Sequence, residues 1–315
     1  MRAVIVNEYG STPVVAEVPT PRPEAGQILV RLSTAGMNPM DSVLASGDWR
    51  PMPAIFPMVL GADGAGVVEK VGPGTSRLAV GDKVFGQTFV PPLGSSGTYA
   101  EYVAVTEDAP IAIAPDGLDL AVAAALPTAG MAGLSLVEEV SAPLNDRTVL
   151  IVGAGGGVGA FATQFAVNAG ARVIANAREA DAVRMQGYGA AEVVDHTKTP
   201  LTEAIRKTHP DGIDVLLDLA SDGDTFATLA TLVRPGGMAV TTKYVADAAA
   251  LEASDVTGIN FALQPSVGML DRLADAVLTG RIVAPPITRI SLDDVPAILS
   301  GTDDRAGGGK VVIAL

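Results

Sequence analysis

The run Gly153-Ala154-Gly155-Gly156-Gly157-Val158-Gly159 follows directly on the β-branched segment Thr148–Val152. Glycines let a backbone approach a phosphate closely, and the free N–H groups and positive dipole end of a helix starting here attract negative charge. That helix is legible: Val158, Phe161, Ala162, Phe165, Ala166 and Ala169 recur at the spacing of one apolar face. Gly170 then stands where a left-handed C-cap is expected. Two registers of the motif are open, Gly153/Gly156/Gly159 and Gly155/Gly157/Ala160. Either fits a pyrophosphate, and with a second strand about 20 residues further on the chemistry is dinucleotide binding. Gly153, Gly155, Gly156, Gly157 and Val158 are the expected cradle. The second strand, Arg172–Ala175, ends in Asn176-Ala177-Arg178. No acid stands there to hold ribose hydroxyls, whereas Arg178 suits a 2′-phosphate, so NADP(H) is the expected cofactor. His196, after the next strand, could reach the same phosphate or could be an ordinary loop residue.

Cysteine is absent, and histidine occurs only at His196 and His209. Thiolate zinc sites, cysteine nucleophiles and disulfides are excluded, and no HExxH or EF-hand spacing occurs. No metal is assigned, and any reactivity must manage without a Lewis acid or be borrowed from an organic cofactor. The net charge of −14 argues against a nucleic-acid partner, although a locally positive pocket can still hold a small anion. The longest apolar stretches, such as Ala121–Leu126, are far too short to span a bilayer, and MRAVIVNEYG lacks the apolar core of a signal peptide. A soluble, cytoplasmic protein without membrane partners is expected.

These groups need a scaffold. Over the first ~120 residues, short β-branched runs (Arg2–Asn7, Ile28–Ala35, Gly66–Val71, Lys83–Gln87, Tyr99–Val105) alternate with Gly- and Pro-bearing turns, as in a barrel-like β domain. After Pro115 the chain turns alanine-rich and helix-favouring, and then strands alternate with helices from Thr148 to Thr242. That alternation predicts a doubly wound parallel sheet with right-handed crossovers. The last stretch returns to short β runs ending in Gly309-Lys310-Val311-Val312-Ile313. The expected fold class is therefore α/β. A β-rich domain (1–118, completed by 283–315) wraps around an inserted dinucleotide-binding domain (119–282).

The series GMNPMDSVLASG (36–47), VLGADGAGVVEKVGPG (59–74), VGDKVFG (80–86), GTYAEYVAV (97–105), AALPTAGMAGLSLV (124–137), VLIVGAGGGVGAFATQFA (149–166) and the closing GGKVVIAL resembles the medium-chain dehydrogenase/reductase superfamily, in its zinc-independent quinone oxidoreductase branch. The resemblance implies a GroES-like catalytic domain, a Rossmann cofactor domain and homodimers. Zinc-dependent members carry a Cys near 36–38 and a His-Glu pair near 62–63. Here those stretches read Gly36-Met37-Asn38 and Ala62-Asp63. Asn38 matches the asparagine that lies near the nicotinamide in this family, and Asp41 is expected to brace its loop or to move a proton. Tyr244 could lie above the ring or donate a hydrogen bond, and Lys243 could contact the cofactor. Gly258-Ile259-Asn260-Phe261 resembles the loop whose backbone holds the carboxamide. Two departures concern the cofactor: Ala132 replaces a frequent Thr, and Asp195-His196 replaces a frequent Asn-Tyr. The implied reaction is hydride transfer from NADPH to a quinone. Reduction of an α,β-unsaturated carbonyl or enoyl thioester, or a non-catalytic NADPH-binding role, would share these motifs.

Overall fold

In the computed structural model, which describes residues 1–140, 143–302 and 308–315, the early β-branched runs become eight strands: β1 (Arg2–Val6), β2 (Val14–Glu17), β3 (Gln27–Gly36), β4 (Met58–Val59), β5 (Asp63–Val71), β6 (Lys83–Gln87), β7 (Tyr102–Thr106) and β8 (Ile111–Ile113). Helix α1 (Pro39–Ser46) interrupts them, and α2 (Leu120–Ala125) and α3 (Pro127–Glu139) follow. The alternating part contains β9 (Thr148–Val152), α4 (Gly157–Asn168), β10 (Arg172–Asn176), α5 (Ala182–Gly187), β11 (Glu192–Val194) and α6 (Leu201–Thr208). It continues with β12 (Ile213–Asp218), α7 (Gly223–Ala230), β13 (Val233–Thr241), α8 (Ala248–Glu252) and β14 (Thr257–Asn260). Helix α9 (Val267–Leu278), β15 (Ile287–Ser291), α10 (Val295–Leu299) and β16 (Lys310–Ala314) complete the described elements.

The chain divides into two units. The first comprises residues 1–131, 265–280 and 284–315, and the second residues 132–264 and 281–283. In the first, a mixed sheet runs β15-β16-β3-β5-β6-β8 with β7 also paired to β3, and a smaller sheet runs β2-β1-β4. Their apolar faces enclose a core that includes Val4, Val6, Leu60, Tyr99 and Ile313. Residues 119–131 and 265–280 lie in this unit, although the sequence pattern placed them with the α/β part. Small side chains are the cause: alanine-rich α2 lies so close on β3 that a Cβ at Gly36 would collide with the Ala124 carbonyl. Leu273 of α9 likewise fills the space a side chain at Gly130 would need.

In the second unit a fully parallel sheet has the order β11-β10-β9-β12-β13-β14. This is the Rossmann order, and the direction of strand succession reverses beside β9. Buried on both faces, Val149–Val152 and Val173–Ala175 read as continuous apolar runs. Separate apolar clusters cover the two faces. From the expected apolar face of α4, Ala162 and Ala166 are buried in one of them, and Val158, Phe165 and Ala169 pack against it.

Candidate active site

In the second unit the chemistry gathers at the carboxyl end of β9. Gly153 adopts φ +78°, a left-handed conformation that side chains disfavour. Gly156 is the extended N-cap of α4, and the Gly156 N–H donates to the Gly153 carbonyl at 3.1 Å. A Cβ at Gly159 would collide with that same carbonyl. The steric demands therefore fall on Gly153 by its conformation and on Gly155 and Gly159 by close contact, whereas Gly156 leaves room for a side chain, so both registers keep a glycine that the turn requires. The N–H groups of Gly157, Val158 and Gly159 open the helix and have no acceptor within it. A pyrophosphate fits such a cradle, both by the missing side chains and by the unpaired donors.

Around the turn, Asn176 ends β10 as a buried side chain. Its Nδ2 donates to Val194 O (3.1 Å) and to His196 Nδ1 (3.1 Å). Because that nitrogen only donates, His196 Nδ1 accepts, and the ring hydrogen of the neutral form sits on Nε2. Arg178 is exposed and makes no side-chain hydrogen bond or ion pair with the described residues. Two residues outside the sequence-predicted set join the turn. Arg184 donates from Nη2 to Gly155 O (2.8 Å) and pairs with Asp181, while its buried Nη1 has no partner. Asp181 Oδ2 lies 2.8 Å from where a Cβ on Gly155 would be. An acid thus reaches the glycine-rich turn after all, carried there by the 3₁₀ turn Glu179–Asp181 rather than by the strand end.

Lys243 and Tyr244 follow β13 as exposed residues, and Tyr244 has φ +58°, a rare conformation for a bulky side chain. Gly258–Asn260 is not a loop but part of the sixth strand, β14, paired with Ala239–Thr241. The Phe261 ring is buried in the core, and the Phe261 N–H donates to Thr241 O at 2.8 Å. Only its remaining backbone groups could serve a ligand.

In the first unit a buried polar network surrounds Asn38. This residue is the extended N-cap of α1, a helix that Pro39 opens and Gly47 (φ +80°) closes. The Asn38 N–H donates to Asp41 Oδ2 (2.7 Å), and Tyr99 OH donates to the same oxygen. The Asn38 Nδ2 donates to Asp63 Oδ2 (2.9 Å), and Lys310 Nζ donates to Asn38 Oδ1 (2.7 Å) and Met37 O (2.6 Å). Asp63 also accepts from Thr128 Oγ1 (2.6 Å) and from the Thr128 N–H (3.1 Å) in the first turn of α3. Gln87 Nε2 donates to Thr128 Oγ1 at 2.7 Å. Asn38, Asp41, Asp63, Gln87, Tyr99 and Lys310 are all buried.

Burial shapes the protonation of this cluster. It pushes Asp41 up to about 7, against the lowering effect of the Tyr99 and Asn38 bonds. It also raises Asp63, although the Lys310 charge and the Thr128 and Asn38 donors oppose this. The Lys310 ammonium is pushed down by burial and held up by Asp63 and Asp41. With two acids and one base out of water, one carboxylate balances the ammonium and the other is best kept protonated. Asp63, with donors on both oxygens, is the better carboxylate; Asp41 Oδ1 has no partner at all. Asp63, Thr128 and Lys310 were not singled out from the sequence. Asp63 was visible only as the residue beside Ala62, where zinc-dependent relatives carry His-Glu.

Residues 24–116 match the alcohol dehydrogenase GroES-like domain, and residues 157–279 match the zinc-binding dehydrogenase domain. The second name concerns zinc. Here there is no cysteine, and among the described residues no group of three or more His, Asp or Glu side chains could hold a metal ion. The chain is 29% identical over 323 aligned positions to 2-methylene-furan-3-one reductase of Solanum lycopersicum, which covers 99% of this chain and 79% of that one. It is 30% identical over 246 positions to quinone oxidoreductase of Homo sapiens, covering 76% and 72%. Quinone oxidoreductase of Pseudomonas syringae pv. Tomato DC3000 superimposes with a TM-score of 0.87 at 25% identity, over 100% of this chain and 99% of that one. A Rossmann unit with its glycine-rich turn, a GroES-like unit and these relatives agree: the chain is an oxidoreductase of the medium-chain dehydrogenase/reductase superfamily, among its quinone oxidoreductase-like members.

Proposed function

We propose that this protein is a zinc-independent, NADPH-dependent reductase that delivers a hydride to a quinone. One observation carries the reading. At the positions where zinc-dependent relatives place ligands, Asn38 and Asp63 are hydrogen-bonded to each other and to Thr128 and Lys310. A lysine ammonium supplies the positive charge, and the donors are already committed. When bound, the dinucleotide supplies the hydride from its reduced nicotinamide. The glycine-rich turn binds its pyrophosphate, and Asn176 orients His196 beside the strand end that receives the ribose. Arg178, without a side-chain partner among the described residues, and the buried Nη1 of Arg184, likewise unpaired among them, favour a 2′-phosphate. Asn38 spends one Nδ2 hydrogen on Asp63 and keeps the other to donate to the oxygen anion that forms when hydride enters a conjugated acceptor.

An enone is the second reading, favoured by the tomato furanone reductase that covers 99% of the chain. Both acceptors give an oxygen-centred anion, so the same donor serves either. The homodimer rests on the family resemblance, and light scattering on the purified protein checks it. The deciding experiment is a screen of NADPH oxidation across quinones, enones and enoyl thioesters, repeated after chelator treatment. Quinones turning over fastest, with no loss after chelation, is the expected result. Turnover of none of the three classes would leave only a binding role. For the cofactor, Arg178→Ala is expected to weaken NADPH about tenfold and to leave NADH unchanged; equal losses would defeat the 2′-phosphate assignment.

A further inference from the structure

We propose that Lys310 is a positioning residue for Asn38, fixing which way the carboxamide points. The proposal rests on the reading above that Asn38 donates to the substrate anion. Lysine has only donors and an ionised carboxylate only acceptors. Lys310 Nζ therefore takes the amide oxygen (2.7 Å) while Asp63 Oδ2 takes one amide hydrogen (2.9 Å). A half-turn of the amide would set two donors face to face and two acceptors face to face, deep in a site where neither could turn to water. The second Nδ2 hydrogen is consequently fixed in direction. An ammonium on the amide oxygen also draws electron density toward it and strengthens the remaining N–H as a donor.

The backbone makes this placement rigid. Val312 of β16 lies opposite Gly36 of β3, and the Met37 N–H donates to Val311 O at 2.9 Å. Lys310 thus arrives beside Asn38 by strand register, and its second hydrogen bond, to Met37 O at 2.6 Å, ties the ammonium to the same segment. Lys310 is 4% exposed. Keeping a cation there is costly unless its neighbours use it.

A double-mutant cycle on the intact enzyme tests this, with kcat for quinone reduction at saturating NADPH and the thermal midpoint measured for every variant. Asn38→Ala is expected to lower kcat about a hundredfold, as loss of an anion-stabilising donor does. Lys310→Met is expected to lower kcat about tenfold in the native background, less than about twofold in the Asn38→Ala background, and to leave the KM for NADPH within about twofold. A purely structural lysine would instead cost the same in both backgrounds, and additive losses in kcat overturn the proposal. So does an unchanged kcat in Lys310→Met. An unchanged kcat in Asn38→Ala refutes the underlying reading of Asn38, a distinguishable failure. Should Lys310→Met not fold, the cycle is run with Lys310→Gln, and the same non-additivity is required.

Discussion

Asp41→Asn removes one titration from the interior of the GroES-like unit, and its effect on stability follows from the surroundings of the carboxyl group. Asp41 faces Tyr99 and the Asn38 N–H directly, with Asp63 and Lys310 close enough to act through charge. In the unfolded chain it ionises near its ordinary value of 3.8, and in the folded protein at about 7. Below the lower value both states carry the proton, and burial costs nothing extra. As pH rises through the interval, the unfolded chain releases its proton while the folded one holds it, so folding becomes progressively less favourable. Three pH units at about 1.4 kcal/mol each make a penalty of about 4 kcal/mol, complete above about pH 7. Asparagine cannot titrate, yet its carbonyl oxygen can accept from both Tyr99 and Asn38. The variant should therefore gain on the native protein by about 1.4 kcal/mol per pH unit between about pH 4 and pH 7, and then run parallel to it. The single tryptophan, Trp49, lies in the same unit, so urea unfolding followed by its fluorescence reads the right transition. Parallel curves from about pH 5 to about pH 8 would refute the assignment of the proton to Asp41.

Gly159→Ala pushes a methyl group against the Gly153 carbonyl; dinucleotide binding, followed by cofactor fluorescence, should be abolished, and unchanged binding would contradict the turn geometry. Gln164 is 5% exposed and holds Val283 by both backbone groups, at 3.0 Å and 2.7 Å. Gln164→Leu should cost about 2 to 4 kcal/mol in thermal unfolding, by leaving a donor and an acceptor unpaired; a loss well below 1 kcal/mol would mean that water replaces them. Asp181→Asn removes the acid nearest the glycine-rich turn and should shift cofactor preference toward NADPH by about 1 kcal/mol, roughly fivefold. A shift toward NADH would show that Arg184 depends on Asp181 for its placement.

What the sequence revealed was what neighbouring residues decide among themselves. Strand β9 and helix α4 were readable to within a residue because a β-branched run, a glycine cluster and a 3.6-residue period coincide there. The left-handed Gly170 (φ +86°) confirms the stop signal. Helix α1 was harder: eight residues give little periodicity, although Asn38-Pro39 and Gly47 are its start and stop signals. Gly258–Asn260 resembles a cofactor-covering loop in sequence, and glycine and asparagine are poor strand formers; pairing with β13 overrides both. The missing acid at the end of β10 was sought at one position, and Asp181 returns to the turn only because 179–181 folds into a 3₁₀ turn. The Asn38 network was least legible of all. Its members lie 25 residues (Asn38 and Asp63), 58 (Asp41 and Tyr99) and 65 (Asp63 and Thr128) apart, and only the sheet register brings them together.

Lys310 lies 272 residues beyond Asn38, and this separation sets an order of assembly during synthesis. The ribosome adds roughly 5 to 20 residues per second, so Asn38 waits roughly 15 to 50 seconds for the donor to its amide oxygen, and Asp63 about as long for its counter-charge. Meanwhile the nearly continuous stretch 132–264 emerges complete and is free to fold before the segment that precedes it. The unit made first is therefore finished last. Until β16 arrives, the Asp63 carboxylate and the Thr34–Gly36 edge of β3 await their partners, and it is in this interval that the nascent chain has the most to gain from a chaperone.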